Sequence, residues 1–220
     1  MTRFSFTTFL LFALAVPAAI AEVAQEITWD NLVPPLPPLE DPFAHLTALQ
    51  RFDLEYLADI RRFQFDDLGS EDSHYAEEVV ELTQRLEEEG LDVGSLLAKF
   101  AAIEAQILMR NEAVVGELEG QLVRLAGYAL PLEFSETGVI EFLLVPYIGA
   151  CIHVPPPPPN QMVFVRLNQI FHADNLYTPV WVTGRLSLKP SIKELSYVDG
   201  QSNVDVGYSL EGTTVEPYER

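Results

Sequence analysis

The sequence predicts an α+β protein in which a helical N-terminal region packs on a small five-stranded, OB-like β-barrel. Two observations support this fold class. Up to about residue 115, apolar residues recur every three or four positions, which is the period of amphipathic helices. After residue 116 the period changes to two, and short runs rich in β-branched and aromatic residues alternate with polar or proline-rich turns. We therefore expect the helical region to end near residues 116–120.

The first 21 residues have the features of a secretory signal peptide. Arg3 precedes an apolar run at 9–16, and Ala19 and Ala21 fit the A-x-A cleavage rule. We therefore expect cleavage near Ala21 and a periplasmic location. The apolar run is shorter than a spanning helix of about 20 residues, and no cysteine stands at the cleavage point. The sequence thus predicts neither a transmembrane span after cleavage nor a lipid anchor.

Residues 22–42 are predicted to form an extended arm, because five of the nine residues at 34–42 are prolines. One interpretation is an apolar strap that is pinned to the domain by Trp29, Leu36 and Leu39. The other interpretation is a recognition segment for a partner.

Residues 43–115 are predicted to contain three helices. The first covers about 43–65 and is followed by a break at 66–70, the second ends at Gly90, and the third begins after Asp92 as its N-cap. Eleven carboxylates and one base, Arg85, lie between residues 66 and 92. We interpret this acidic face as solvated, with docking of a basic partner as the alternative.

Residues 116–220 are predicted to form the barrel. Gly127 and Gly184 occupy matching places in two of the predicted strands, as expected where a barrel strand bends sharply. This architecture does not by itself indicate a function, since such barrels host unrelated activities. The predicted strands are 121–131, 139–146, 161–167, 179–188 and 203–210.

The charge of the chain excludes one class of partner. The sequence has 33 Asp and Glu against 13 Lys and Arg, a formal net charge of −20. Such a surface repels phosphate backbones and anionic lipid headgroups. We therefore expect no nucleic-acid partner.

The most unusual segment is GACIHVPPPPPNQ at residues 149–161. It joins the only cysteine, Cys151, to His153 and then to five consecutive prolines, which form a stiff extended rod that cannot donate to a sheet. If residues 149–154 are extended, Cys151 and His153 project to the same face.

Three interpretations of this segment remain open. Cys151 and His153, with His172 as a further ligand, would suit zinc or copper. A Cys151 thiolate with His153 as its base would suit nucleophilic catalysis. The structural interpretation is that both groups are buried against the helices.

Three flanking residues complete the candidate ligand-binding set, namely Tyr147, Asn160 and Gln161. We expect the amides of Asn160 and Gln161 to cap carbonyls at the start of the next strand rather than to bind substrate. The sequence contains none of the common phosphate-loop, dinucleotide, zinc-protease, serine-hydrolase or paired-cysteine motifs. This makes an enzyme the less favoured class.

These motifs resemble an uncharacterised bacterial family, domain of unknown function 3299. The resemblance rests on the 149–161 segment together with ITWDNLVP at 27–34, EGQLVR at 119–124, GYALPL at 127–132, LVPY at 144–147 and VWVTG at 180–184. It implies an exported protein without an assigned activity, and association with envelope ABC transporter systems, some concerned with metals. It supplies no catalytic residues, and this chain lacks the anchoring cysteine of the lipoprotein members.

The sequence leads to three functional hypotheses. The first is a non-enzymatic periplasmic accessory protein that binds a metal ion or small ligand for an envelope transport system. The second is an interaction module that uses residues 34–42, residues 155–159 and Tyr147. The third is a thiol-dependent enzyme, which requires a depressed pKa at an accessible Cys151.

Overall fold

The computed structural model describes residues 22–64, 74–132, 138–151, 154–173, 175–196 and 200–218. Within these ranges three helices precede a closed five-stranded barrel with additional strands, so the predicted α+β class is confirmed. The predicted signal peptide and the predicted break at 66–70 lie outside the described residues. No helix in the described ranges is long and apolar enough to cross a membrane.

The three predicted helices are present as α1 (Ala48–Gln64), α2 (His74–Glu88) and α3 (Val93–Glu112). The first begins later than predicted, because residues 42–45 form turns. Gly90 follows α2 with φ +85°, the left-handed conformation that commonly ends a helix. Asp92 caps α3 as predicted, since its carboxylate accepts a hydrogen bond of 3.0 Å from the Ser95 N–H.

The helices enclose an apolar core of their own. A salt bridge of 2.5 Å between Arg85 and the buried Asp53 joins α1 to α2 beside this core. The core is separate from the two apolar clusters of the barrel, so the helices lie beside the barrel rather than sharing its interior. Its buried members are Phe43, Leu54, Leu57, Leu82, Leu86, Val93, Leu96 and Leu97.

The described residues contain eight strands: β1 (Gln25–Ile27), β2 (Leu122–Pro131), β3 (Val139–Val145), β4 (Val163–Phe171), β5 (Thr178–Ser187), β6 (Ser191–Ser196), β7 (Gln201–Val206) and β8 (Tyr208–Pro217). Five of them close the barrel in the order β2, β3, β4, β8, β5 and back to β2. Neighbouring strands of the barrel are antiparallel except β4 and β8. This is the five-stranded OB-like barrel that the sequence predicts.

Two glycines allow the barrel strands to approach one another closely. A Cβ on Gly127 would lie 2.9 Å from the Val145 carbonyl oxygen, and a Cβ on Gly184 would overlap the carbonyl of Glu211. Gly184 also lies at a register shift between β5 and β8. Both positions therefore require glycine, which agrees with the predicted bends.

The prediction of one strand at 203–210 is wrong, because the chain divides there into β7 and β8. The Gly207 N–H between them donates a hydrogen bond of 2.8 Å to the Pro159 carbonyl. A Cβ on Gly207 would lie 2.8 Å from the same oxygen. The close approach to the proline rod therefore ends β7 and starts β8.

The second half of β3 is buried on both faces, which explains the apolar run at 142–145. Phe142 and Leu144 belong to the cluster inside the barrel, whereas Leu143 and Val145 belong to a second cluster outside it. The hairpin of β6 and β7 covers this outer cluster with Leu195, Val204 and Val206. Since OB-folds bind oligonucleotides and oligosaccharides on the corresponding strands, the hairpin occupies part of that face here.

Candidate functional site

The candidate site lies on the connection between β3 and β4. This connection leaves the barrel through Tyr147 and Ile148, which are 43% and 64% exposed. The Val154 N–H then donates a hydrogen bond of 3.2 Å to the Gly149 carbonyl, which closes a tight loop around Cys151. The loop therefore brings apolar side chains to the surface and turns Cys151 back toward the barrel.

Cys151 packs at the edge of the outer apolar cluster and is half-buried. Its Sγ lies 3.8 Å from Met162 Sδ, to which the thiol donates a weak hydrogen bond. The neighbouring Ala150 carbonyl accepts a hydrogen bond of 2.6 Å from the Tyr177 hydroxyl. Cys151 has φ +69°, a left-handed conformation that is uncommon for residues other than glycine.

Burial raises the pKa of the Cys151 thiol from 9.0 to about 11. At neutral pH the group is therefore a protonated thiol. A reactive cysteine needs the opposite change, since the thiolate is the nucleophile. This pKa argues against a thiol-dependent enzyme.

The structure describes only one of the two histidines of the predicted metal site. His153 lies outside the described residues, so its relation to Cys151 stays a prediction. His172 is exposed directly after β4, and the pairing of Phe171 with Val139 places it at the start of β3. Cys151 follows the opposite end of β3, which is seven residues or about 20 Å long. The structure thus does not bring His172 and Cys151 together.

The described residues also form no other metal site of the usual oxygen, nitrogen and thiolate ligands. Within the described ranges, His, Cys, Asp and Glu form no group of three or more that could hold a metal ion. A structural zinc site normally needs four such ligands.

One edge of the proline run packs against the domain. Pro157 and Asn160 are buried, Pro158 and Pro159 are half-buried, and Pro155 and Pro156 are exposed. Pro158 has φ −61° and ψ 154°, which are polyproline II values. Residues 159–161 then form one turn of 3-10 helix, which contains the buried Asn160. The opposite edge of the proline run faces solvent.

Asn160 and Gln161 fix the end of the rod through their side-chain amides. Asn160 donates hydrogen bonds of 2.7 and 3.0 Å to the carbonyls of Arg110 and Ala113 at the end of α3. Gln161 donates a hydrogen bond of 2.9 Å to the Trp29 carbonyl. The two amides therefore cap carbonyls, as expected. The carbonyls belong to the end of α3 and to the arm, whereas the sequence predicted carbonyls of the next strand. Both amide hydrogens of Asn160 are used within the chain.

The N-terminal arm is anchored near the same place. Trp29 donates a hydrogen bond of 2.8 Å from its indole N–H to the Ala126 carbonyl, and Leu32 is buried. Beyond this anchor, residues 35–38 are exposed, and the Arg110 side chain donates a hydrogen bond of 2.5 Å to the Pro37 carbonyl. Trp29 thus pins the arm as predicted, whereas Leu36 is 44% exposed and Leu39 is half-buried.

Both proline-rich segments are therefore tied to the last turn of α3. Arg110 connects them directly, since its carbonyl accepts from Asn160 and its guanidinium donates to Pro37. The exposed residues of the arm at 35–38 and of the connection between β3 and β4 at 147–148 and 154–156 are together called the proline surface. Such a collection of exposed prolines and large apolar side chains is typical of an interaction site.

The chain that carries the proline surface is strongly acidic. Many of the scarce arginines form ion pairs with carboxylates, which removes basic sites from the surface. These arginines are Arg51, Arg62, Arg85, Arg124, Arg166 and Arg185. The chain as a whole retains a formal charge of −20.

Three residues that organise this region were not predicted from the sequence. Arg110 connects the two proline-rich segments, and Met162 contacts Cys151. The buried Tyr208 hydroxyl donates a hydrogen bond of 2.7 Å to the Leu32 carbonyl and accepts one from the Val115 N–H. Only Arg110 carries a local signal, because basic residues are favoured in the last turn of a helix.

Comparisons with known proteins indicate similarity to one family. The family model DUF3299, described as a protein of unknown function, matches residues 29–217. A crystal structure of a DUF3299 family protein from Pseudomonas aeruginosa has 30% sequence identity, covers 90% of this chain and 98% of its own, and gives a TM-score of 0.48. No curated protein matches the chain.

Proposed function

We propose that this chain, which belongs to the DUF3299 family of proteins of unknown function, is a non-enzymatic docking protein for a partner in the bacterial envelope. The proline surface would be its binding site. The main support for this proposal is that Arg110 and Asn160 hold both proline-rich segments against one turn of α3. The prolines of these segments that face away from α3 stay exposed. The envelope location rests on the predicted signal peptide.

The geometry of the rod supports this function. A polyproline II helix keeps its shape without a partner, so it loses little conformational entropy on docking. Its buried edge is held by Asn160 and Gly207, and its exposed edge presents Pro155 and Pro156. Partners that recognise such an edge use grooves lined by aromatic side chains. A partner groove bordered by basic residues would complement the acidic surface of this chain.

The docking function agrees with the described residues better than the other two hypotheses. The raised pKa of Cys151 disfavours a thiol-dependent enzyme. The separation of Cys151 from His172 removes one ligand from the predicted zinc or copper site. An envelope transport system remains the partner class that the sequence resemblance implies, and we include it in the proposal.

Photo-crosslinking in intact cells tests the proposal. A benzophenone amino acid is placed at Leu36 or at Pro156, and at Ile192 on the β6–β7 hairpin as an exposed control. We expect the first two positions to yield an adduct with the same partner and the control to yield none. Equal adducts at all three positions, or an adduct formed only between two copies of this chain, would contradict the proposal.

A variant of the rod tests whether its exposed prolines contribute to docking. Replacing Pro155 and Pro156 together by alanine removes the stiff exposed edge and leaves the buried Pro157 in place. We expect the yield of the adduct at Leu36 to fall, and the melting temperature of the protein to stay unchanged. Pro190→Ala, at an exposed proline between β5 and β6, is the matched control.

A further inference from the structure

Helix α3 is apolar on two opposite faces. One face packs into the helical core through Val93, Leu96 and Leu97. Successive residues of an α-helix are about 100° apart, and on the other side of α3 eight residues fall within an arc of about 120°. All of them are exposed, Leu108 by 57% and Met109 by 70%. We call them the outer face of α3, namely Gly94, Ala98, Ala101, Ala102, Ala105, Leu108, Met109 and Glu112.

The outer face of α3 differs in composition from the exposed face of α2. Helix α2 exposes Glu77, Glu81, Glu87 and Glu88, which is the charged surface expected of a helix at the surface of a protein. The outer face of α3 carries no charge from residue 94 to residue 109. A helix that is apolar all round is normally buried. The outer face therefore has the composition of a buried contact, although the described residues leave it exposed.

The sizes of the side chains along the outer face make it complementary to a second copy of itself. Its first half carries only glycine and alanine, whereas its second half carries Leu108 and Met109. If a second α3 packs antiparallel about a two-fold axis near residues 103–104, Met109 of each copy lies opposite Ala98 of the other. Large side chains then fill the space above small ones on both sides of the axis. A parallel pair would instead place Met109 against Met109.

The charges around the outer face also favour an antiparallel second copy. Lys99 lies beside the first half of the face, and Glu112 ends its second half. In the antiparallel arrangement Glu112 lies opposite Ser95 of the second copy, about 6 Å along the helix axis from Lys99 of that copy. Two pairs of opposite charges therefore come within reach of one another. Contact between two chains of net charge −20 is opposed by repulsion, and the uncharged face keeps carboxylates out of the centre of the contact.

We propose that the outer face of α3 is the interface of a symmetric dimer, in which two copies of this chain pack their α3 helices antiparallel. Each copy contributes the same residues, as in other two-fold symmetric oligomers. Arg110, which holds the proline-rich segments, lies about 140° around α3 from the centre of the outer face. The dimer interface is therefore distinct from the proline surface, and its test does not depend on the docking function.

Sedimentation velocity of the mature chain tests the interface. Because one pair of helices is smaller than a standard interface of about 1,600 Å², we expect a weak dimer that forms between about 5 and 500 μM protein. Ala105→Glu places like charges near the two-fold axis and should raise the dissociation constant at least about tenfold. Glutamate is a good helix former, so the circular dichroism spectrum should stay unchanged. Ala76→Glu, at an exposed alanine of α2, adds the same charge as a matched control and should dimerise as the wild type does.

Charge reversal tests the antiparallel orientation. Lys99→Glu and Glu112→Lys each place like charges together at both ends of the interface, so each should weaken the dimer about fivefold. The double variant restores opposite charges and should dimerise as the wild type does. The proposal is overturned if the wild type stays monomeric over the whole concentration range or if Ala105→Glu dimerises as tightly as the wild type. A double variant that is no tighter than the single variants would also overturn it.

Discussion

The two proline-rich segments have similar compositions but are held in different ways. The rod at 155–159 ends in buried contacts, where Asn160 binds two carbonyls of α3 and Gly207 lies against Pro159. The arm at 34–42 is held after Leu32 by surface contacts, namely the hydrogen bond from Arg110 to the Pro37 carbonyl and the ion pair between Asp41 and Arg51. Proline content therefore does not determine whether a segment belongs to the core of the fold. A buried polar contact at the end of the segment determines this instead.

The largest effect is expected from Asn160→Ala at the anchored end of the rod. This variant leaves the half-buried carbonyls of Arg110 and Ala113 without the donor that the buried Asn160 supplies. Unsatisfied buried groups cost about 1–3 kcal/mol each, so we expect the free energy of unfolding to fall by about 2–4 kcal/mol. Urea unfolding followed by circular dichroism measures the change.

The control for this variant is Asn168→Ala on β4, where the side chain is exposed. Its free energy of unfolding should stay within about 0.5 kcal/mol of the wild type. If Asn160→Ala also stayed within that range, the rod would be a surface segment like the arm.

The next prediction compares the thiol of the rod loop with a thiol placed in the arm. Because burial raises the pKa of Cys151 from 9.0 to about 11, its thiolate fraction at pH 7 is about a hundredfold below that of an unshifted thiol. The thiolate fraction rises tenfold per pH unit up to about pH 11. We expect the rate of iodoacetamide alkylation to follow this rise, as measured by mass spectrometry.

The matched variant carries Leu36→Cys in a Cys151→Ser background. Leu36 is exposed on the arm, so its replacement thiol should react at the rate of a free peptide cysteine. Equal alkylation rates at neutral pH for the two proteins would show that the rod loop gives Cys151 no protection.

The difference between rod and arm also explains what the sequence predicts well. Helix α3 and strand β3 follow from local patterns, namely the Asp92 cap and the apolar run at 139–146, and both are present. The hairpin strand β6 has apolar residues only at Ile192 and Leu195, which do not alternate, so its sequence carries no strand period. Its position depends on covering the outer face of the barrel.

The candidate site was harder to predict for a physical reason. Met162 lies eleven positions from Cys151, so their contact depends on how the loop returns to β4. The distance between Cys151 and His172 depends on strand register, which places His172 at the far end of β3. Neither relation follows from the spacing of residues along the chain.

A smaller effect is expected at Gly207, where β7 meets the rod. In Gly207→Ala the new Cβ would lie 2.8 Å from the Pro159 carbonyl oxygen. Since backbone must move to accept it, we expect the free energy of unfolding to fall by about 1–2 kcal/mol. Gly116→Ala is the control, because no atom lies within 4 Å of its Cβ. Urea unfolding that gave equal stability for the two variants would exclude a close contact at Gly207.

The smallest effect on stability is expected from Arg110→Ala, which removes the contact of the arm with α3 and leaves the rod in place. The lost hydrogen bond from the guanidinium to Pro37 lies at the surface, so the free energy of unfolding should change by only about 0.5 kcal/mol. The arm itself should become more accessible to proteases, because its contact with α3 is removed. Limited proteolysis should therefore cleave residues 34–42 faster in this variant, while cleavage elsewhere keeps its wild-type rate.

Arg61→Ala on α1 serves as an exposed arginine control. Unchanged cleavage of the arm in Arg110→Ala would mean that the Trp29 anchor and the ion pair between Asp41 and Arg51 fix the arm without Arg110, and that the two proline-rich segments are not coupled through α3.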